Sequence, residues 1–110
     1  MTCEELARAC VFLANSGIDP FTKQRMASKD HVKFANAIMT MCGLYDASGE
    51  FACKIGLPGK SGVGGGLLTI VPGKMSIATF GPALDEKGNS VGGLKIMEFL
   101  SQELNLSLYQ

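Results

Sequence analysis

The sequence predicts an α+β fold in which an antiparallel β-hairpin is flanked by helices. Apolar residues recur at helical spacing in the first half of the chain and again at its end, while "LLTIV" and "MSIATF" between them alternate with period two. The link joining those two runs, "VPGK", is too short for anything but antiparallel neighbours, because a parallel crossover needs about a dozen residues or more. The Rossmann and P-loop folds are excluded on that ground.

The elements follow in order. Thr2 and Glu5 form a capping box, and Leu6, Ala9, Cys10 and Leu13 then keep a helical spacing until Gly17. A second amphipathic helix starts at Ser28 or Asp30, puts Val32, Ala35, Met39 and Cys42 on one face, and stops at Gly43. Between them "SGIDPFTKQRM", with Pro20 inside it, reads as a loop. A short helix capped by Ser48 follows, with Phe51, Ala52 and Ile55 inward and Gly56 as its stop. In the first strand Leu67, Thr69 and Val71 point one way and Leu68 and Ile70 the other, so both faces are covered and the strand is central. Pro72 and Gly73 then occupy the middle of a type II turn. In the last helix Val91, Leu94, Met97, Leu100 and Leu104 form a stripe behind an Asn89 or Ser90 cap and cover one sheet face.

No linker or repeat divides the chain, so residues 1–110 form one unit: a helical part, 1–43, then a loop, hairpin and final helix, 44–110. Two strands alone make a marginal sheet, so the remaining strands are expected outside this segment and the fold is a partial domain. Composition agrees. Apolar residues with glycine exceed half the chain, above the roughly 45–50% usual in globular proteins and high for a small domain. Burial against further protein, by oligomerisation or because the chain is a piece, accounts for the excess.

Ten basic and ten acidic side chains cancel, which removes the electrostatic footprint of a nucleic-acid binder. No apolar run approaches the ~20 residues that span a bilayer. The first residues, "MTCEELARAC", carry acids where an export signal carries bases. A soluble, cytoplasmic protein without membrane partners is expected. Cys3, Cys10, Cys42 and Cys53 form no Cys-x-x-Cys pair and, with His31 as the only histidine, no zinc pattern. They are expected to be reduced and buried on apolar faces, and no cofactor or metal is expected.

The chemistry concentrates in "LPGKSGVGGG". Gly59-Lys60-Ser61 resembles the end of a phosphate loop, yet the glycine a Walker loop needs about five residues earlier is replaced by Lys54. The dinucleotide fingerprint started at Gly62 meets Leu67 where its last glycine belongs. These glycines also lead into a strand, whereas phosphate loops lead into a helix. The remaining candidates are Tyr45, Lys60, Ser61 and the amides of Gly62 to Gly66. Each has a plain alternative: a half-buried aromatic, a solvated cation, a bulge. Functionally, glycines at a strand edge let the backbone approach a ligand, and an outward N–H there can hold an oxyanion. Lys60-Ser61-Gly62 is similar to the Lys-Thr/Ser-Gly element of serine β-lactamases and penicillin-binding proteins.

Five elements in order carry a closer resemblance: Gly43-Leu44-Tyr45-Asp46 with Ser48-Gly49, Gly56-Leu57-Pro58, Lys60-Ser61-Gly62-Val63, Pro72-Gly73-Lys74-Met75 and Gly88-Asn89-Ser90. Together they resemble the carboxy-terminal part of the serine-dependent glutaminases, with Gly59 where alanine is usual. The resemblance implies a β-lactamase/transpeptidase-like fold and hydrolysis of L-glutamine to L-glutamate and ammonia through an acyl-serine. It implies that Tyr45 shuttles protons, that the Val63 N–H is one oxyanion donor, and that Lys60 and Ser61 line and order this edge of the site. A phenol free in water ionises near pH 10, so lysine charge must favour its anion or a concerted transfer.

One departure matters: none of Ser16, Ser28, Ser48, Ser61, Ser76, Ser90, Ser101 and Ser107 has a lysine three places later. The family's Ser-x-x-Lys nucleophile is therefore expected upstream, in a missing amino-terminal part of the same protein. A homo-oligomer, dimer or tetramer, is implied by the same resemblance. Two other readings stand beside it: a non-catalytic binding or assembly module of the same fold, and acyl transfer of the β-lactamase or peptidase type.

Overall fold

Alternate residues of one strand set the layers. The computed structural model describes all 110 residues, in the order α1 (Cys3–Cys10), a 3₁₀ turn (Val11–Ala14), α2 (Lys29–Cys42), a second 3₁₀ turn (Tyr45–Ala47), α3 (Ser48–Lys54), β1 (Gly59–Ser61), β2 (Gly66–Val71), β3 (Met75–Phe80) and α4 (Val91–Leu104). The sheet is antiparallel in the order β1-β2-β3, with β2 in the middle and fully buried beyond its first residue. Leu67 and Val71 face a core built with Leu44, Phe51, Leu57 and Met97, beneath α3 and α4. Leu68 and Ile70 face the other way, onto Ala14, Leu6, Leu13 and Met39 of α1, the first 3₁₀ turn and α2. Helices thus cover both faces, as the two apolar registers of "LLTIV" require. Each fully buried leucine or isoleucine contributes roughly 1.5–3 kcal/mol by leaving water.

Local signals fix the helix starts. Thr2 and Glu5 close the capping box, the Thr2 Oγ1 accepting from the Glu5 N–H at 3.0 Å while the Thr2 N–H donates to Glu5 Oε1 at 2.7 Å. Ser28 caps α2 and Ser90 caps α4. The β2–β3 turn is closed by the Lys74 N–H donating to Val71 O at 2.9 Å, with Gly73 at φ +79°. Ser76 of β3 donates its hydroxyl to Ala7 O at 2.6 Å and so fastens α1 to the sheet.

Four expectations are corrected. One of the strands expected elsewhere lies within this chain: Gly59–Ser61 pairs with Leu67–Thr69, joining the sheet through backbone alone and so leaving no apolar alternation to read. Ser48 does not cap α3; Ala47 holds that position, and the Ser48 hydroxyl turns back to the Leu44 and Tyr45 backbone. The cysteines are free but not buried: Cys3, Cys42 and Cys53 are exposed and Cys10 is half-buried, burial pushing the Cys10 thiol up. Finally, the α4 stripe is inward only in its middle, at Leu94, Met97 and Leu100, whereas Val91 and Leu104 at its ends are exposed. The "SGIDPFTKQRM" loop carries an isolated β-bridge between Ile18 and Arg25 and is tied to α1 by the Arg8–Asp19 ion pair at 3.1 Å. Large apolar side chains do stand in the open, among them Phe34 (69%), Met41 (67%) and Phe99 (61%). No helix is long and apolar enough to cross a membrane.

Candidate active site

Tyr45 sits at φ +54°, in the left-handed region. For a bulky residue this costs on the order of 1–3 kcal/mol and persists only where surrounding contacts impose it. The contacts are specific. The Gly43 carbonyl accepts from the Ser61 N–H at 3.0 Å and from its hydroxyl at 3.4 Å. Leu44, completely buried in the main core, donates its N–H to Ser48 Oγ at 3.0 Å. Its carbonyl accepts from Asn89 Nδ2 at 3.1 Å. The Tyr45 carbonyl accepts from Ser48 Oγ at 2.8 Å. One serine thereby pins both sides of the tyrosine, and the ring emerges 47% exposed.

The pleat of β1 supplies the cation. Gly59 and Ser61 point inward and Lys60 outward, which carries the Lys60 Nζ to 4.8 Å from the centroid of the Tyr45 ring. The same ammonium donates to the Ser61 carbonyl. Ser61 itself is buried, its hydroxyl directed to Gly43, so it orders the Tyr45 turn from beneath.

Beyond Ser61 the glycine run forms the tip of the β1–β2 hairpin. The Gly62 N–H donates to Gly66 O and the Gly65 N–H to Gly62 O, each at 3.0 Å, with Gly65 at φ +100°. This is the geometry of a three-residue hairpin loop ending in a left-handed bulge. Only glycine fits there, since a Cβ on Gly65 would stand 2.5 Å from Gly81 O. Val63 lies on the tip with its side chain 71% exposed, and its N–H meets no acceptor within the chain. An unpaired N–H in a turn locked at both ends is a fixed donor for an anionic oxygen.

The structure thus brings Tyr45, Lys60 and Ser61 together and sets Val63 at the tip of the same hairpin. Of the two residues that the sequence offers as the α4 cap, Ser90 takes that place, while Asn89, like Ser48, holds the tyrosine turn; only the Gly88-Asn89-Ser90 motif marks that second region. A cavity of about 340 Å³ lies elsewhere, lined by Phe51 and Leu94 and by Glu50, Lys54, Lys87 and Glu98, and includes none of Tyr45, Lys60, Ser61 or Val63. Lys54 at 2.8 Å and Lys87 at 3.7 Å hold the Glu50 carboxyl below its ordinary range. No three His, Cys, Asp or Glu side chains gather where a metal could bind.

Known proteins match this chain over nearly all of its length. The family profile of the glutaminases matches residues 1–109. A glutaminase of Clostridium tetani is 55% identical over 109 residues, 99% of this chain and 36% of its own length. Among solved structures, the probable glutaminase YbaS superposes with a TM-score of 0.95 at 45% identity, covering all of this chain and 36% of that one. The Bacillus subtilis glutaminase YbgJ, seen as a covalent complex with 5-oxo-L-norleucine formed from 6-diazo-5-oxo-L-norleucine, does so at 0.95 and 38%, covering 99% of this chain and 40% of that one. This chain therefore spans about a third of the length of the relatives it matches, and the α+β arrangement is that of the β-lactamase-like fold. From its profile, its identity to these relatives and its superposition on them, the chain belongs to the glutaminase family.

Proposed function

We propose that this chain supplies the proton-transfer and oxyanion side of a site that hydrolyses L-glutamine to L-glutamate and ammonia. The observation that carries the reading is Tyr45, forced into a left-handed backbone with the Lys60 ammonium against its ring. Strain of this kind is retained where it serves a function. The nucleophile is the serine of a Ser-x-x-Lys motif, which these 110 residues do not contain. The YbgJ complex supports the substrate class, since its 5-oxo-L-norleucine shares the glutamine carbon skeleton with a ketone in place of the amide.

In this mechanism the serine oxygen attacks the side-chain amide carbon of glutamine, and its proton passes by way of the Tyr45 phenol to the departing nitrogen. The tetrahedral oxyanion is held by the Val63 N–H and the serine's own N–H; losing one such donor costs roughly a hundred- to a thousand-fold in rate. Ammonia leaves, and water then cleaves the acyl-serine to glutamate. Lys60 keeps the phenol beside a positive charge, and Ser61 acts through Gly43 on the position of Tyr45. The exposed Phe34, Ile38 and Met41 on α2 fit burial against further protein of the same family, including homotypic assembly into a dimer or tetramer. The four free cysteines suit a reducing cytoplasm.

The test combines this chain with a segment carrying Ser-x-x-Lys from the Clostridium tetani relative and measures ammonia released from glutamine. Turnover that vanishes in Tyr45→Phe is expected. An assembled complex without turnover instead favours a non-catalytic module of the same fold.

A further inference from the structure

The tyrosine turn is held from a loop that the mechanism above does not use. Asp85 folds residues 85–90 into a closed turn: its Oδ1 accepts from the Lys87 N–H at 2.9 Å and the Asn89 N–H at 3.0 Å, and its own N–H donates to Asn89 O at 2.8 Å. Two contacts leave this turn for Tyr45. Gly88, at φ +85°, borders the Tyr45 ring, so that a Cβ placed on it would meet two ring carbons at 3.9 Å, an ordinary van der Waals distance. Asn89, completely buried, donates Nδ2 to the Leu44 carbonyl at 3.1 Å.

That carbonyl belongs to the peptide unit whose nitrogen is Tyr45 N. Fixing its direction fixes one side of the rotation about the Tyr45 N–Cα bond, and Ser48, bonded to the Tyr45 carbonyl, fixes the other. The Leu44 carbonyl also accepts from the Ala47 N–H at 3.0 Å and the Tyr45 carbonyl from the Ser48 N–H, so the Asn89 and Ser48 side chains hold the positive φ together with the backbone of the 3₁₀ turn. The Asn89 Oδ1 is buried and meets no donor within the chain. Rotating the amide by half a turn would point that oxygen at the Leu44 oxygen, so the acceptor settles which end is nitrogen.

We propose that Asn89 is a positioning residue for Tyr45, transmitting the closed turn at residues 85–90 into the left-handed backbone that aims the phenol. The inference rests on the reading of Tyr45 as the proton shuttle. Its test has one arm independent of that reading. The chain has two tyrosines, so the ring NMR signals of Tyr45 can be read against those of Tyr109, which is 63% exposed. In Asn89→Ala and Asn89→Leu the Tyr45 signals are expected to move toward those of Tyr109 while the methyl signals of Leu67 and Ile70 stay in place. Asn89→Leu also refills the space and removes the orphan oxygen, so it is expected to melt no earlier than Asn89→Ala. In the complex completed with Ser-x-x-Lys, both variants are expected to lower kcat by about tenfold or more at an unchanged KM, since the barrier changes and ground-state binding does not.

Tyr45 signals left at their native positions in either folded variant overturn the proposal. So does loss of the Leu67 and Ile70 signals along with those of Tyr45 in both variants, which marks Asn89 as a core residue only. Displaced ring signals with full turnover overturn the shuttle reading itself, while leaving the hold of Asn89 on Tyr45 demonstrated.

Discussion

The Lys60 Nζ stands 4.8 Å from the centre of the Tyr45 ring while the same ammonium is bound to the carbonyl of Ser61. The cation is tethered to the strand that pins Gly43, so the lysine and the tyrosine backbone share one support. Lys60→Met keeps the aliphatic stem and removes the charge. An exposed cation–π contact is worth about 0.5–1 kcal/mol, so the melting temperature is expected to change little. Ammonia release by the completed enzyme is expected to fall by about tenfold or more, equivalent to about 1.4 kcal/mol of barrier. Lys60→Arg, whose planar cation also stacks on aromatic rings, is expected to fall between the two; native turnover in Lys60→Met removes Lys60 from the mechanism.

With Tyr45 as the proposed proton shuttle, its backbone strain is expected to separate stability from activity. Tyr45→Gly relieves the left-handed backbone, and its denaturant midpoint is expected to equal or exceed that of the native chain while glutamine hydrolysis disappears. Ser48→Ala acts in the opposite sense on stability, because the buried Leu44 N–H loses its acceptor. A loss of about 1–3 kcal/mol is expected from urea unfolding. Equal midpoints for Ser48→Ala and the native chain would show that the serine holds nothing.

Much of this fold was legible in the sequence because the signals are local. The capping box at Thr2 and Glu5, the Pro72-Gly73 turn and the two apolar registers of β2 each lie within a few residues, and each appears as read. β1 was not legible: Gly59, Lys60 and Ser61 contribute backbone pairing with no apolar pattern. The left-handed Tyr45 gives no sign of itself, since part of its cause lies in residues distant along the chain. Asn89 reaches Leu44 across 45 positions, and Ser61 reaches Gly43 across 18. Family motifs marked those residues, but the hydrogen bonds that give them a role exist only in the folded chain.

Acid should loosen the loop that follows α1. The Phe21 N–H, the largest influence, and the Arg8 guanidinium at 3.1 Å hold the Asp19 carboxyl below its ordinary 3.8, against partial desolvation. A carboxyl lowered in the folded state adds stability that is complete above its ordinary value and is lost as pH falls through the lowered one. The urea midpoint of the native chain is therefore expected to drop on acidification more steeply than that of Asp19→Asn. Parallel curves for the two proteins would assign the acid sensitivity to other groups, Glu50 with its Lys54 partner first among them.

Two adjacent glycines at the start of α4 give the sharpest packing test, because they share a helix turn and differ only in what faces them. A Cβ on Gly92 meets nothing within 4 Å, whereas one on Gly93 stands 2.7 Å from Thr79 Oγ1 and 3.1 Å from Ser90 Oγ. Gly92→Ala removes the conformational penalty of glycine in a helix and is expected to stabilise by about 0.5–1 kcal/mol. Gly93→Ala drives α4 away from β3 and crowds the Ser90 hydroxyl that accepts from the Gly93 N–H at 3.1 Å. A cap is worth typically about 1 kcal/mol, so a loss of at least that size is expected, from cap and overpacking together. Because Ser90 directly follows Asn89, the same substitution is expected to disturb the Tyr45 ring signals, whereas Gly92→Ala leaves them unmoved. If Gly93→Ala unfolds at the native urea midpoint, the close seat of α4 on β3 is wrong, and with it the anchoring of the turn that holds the tyrosine.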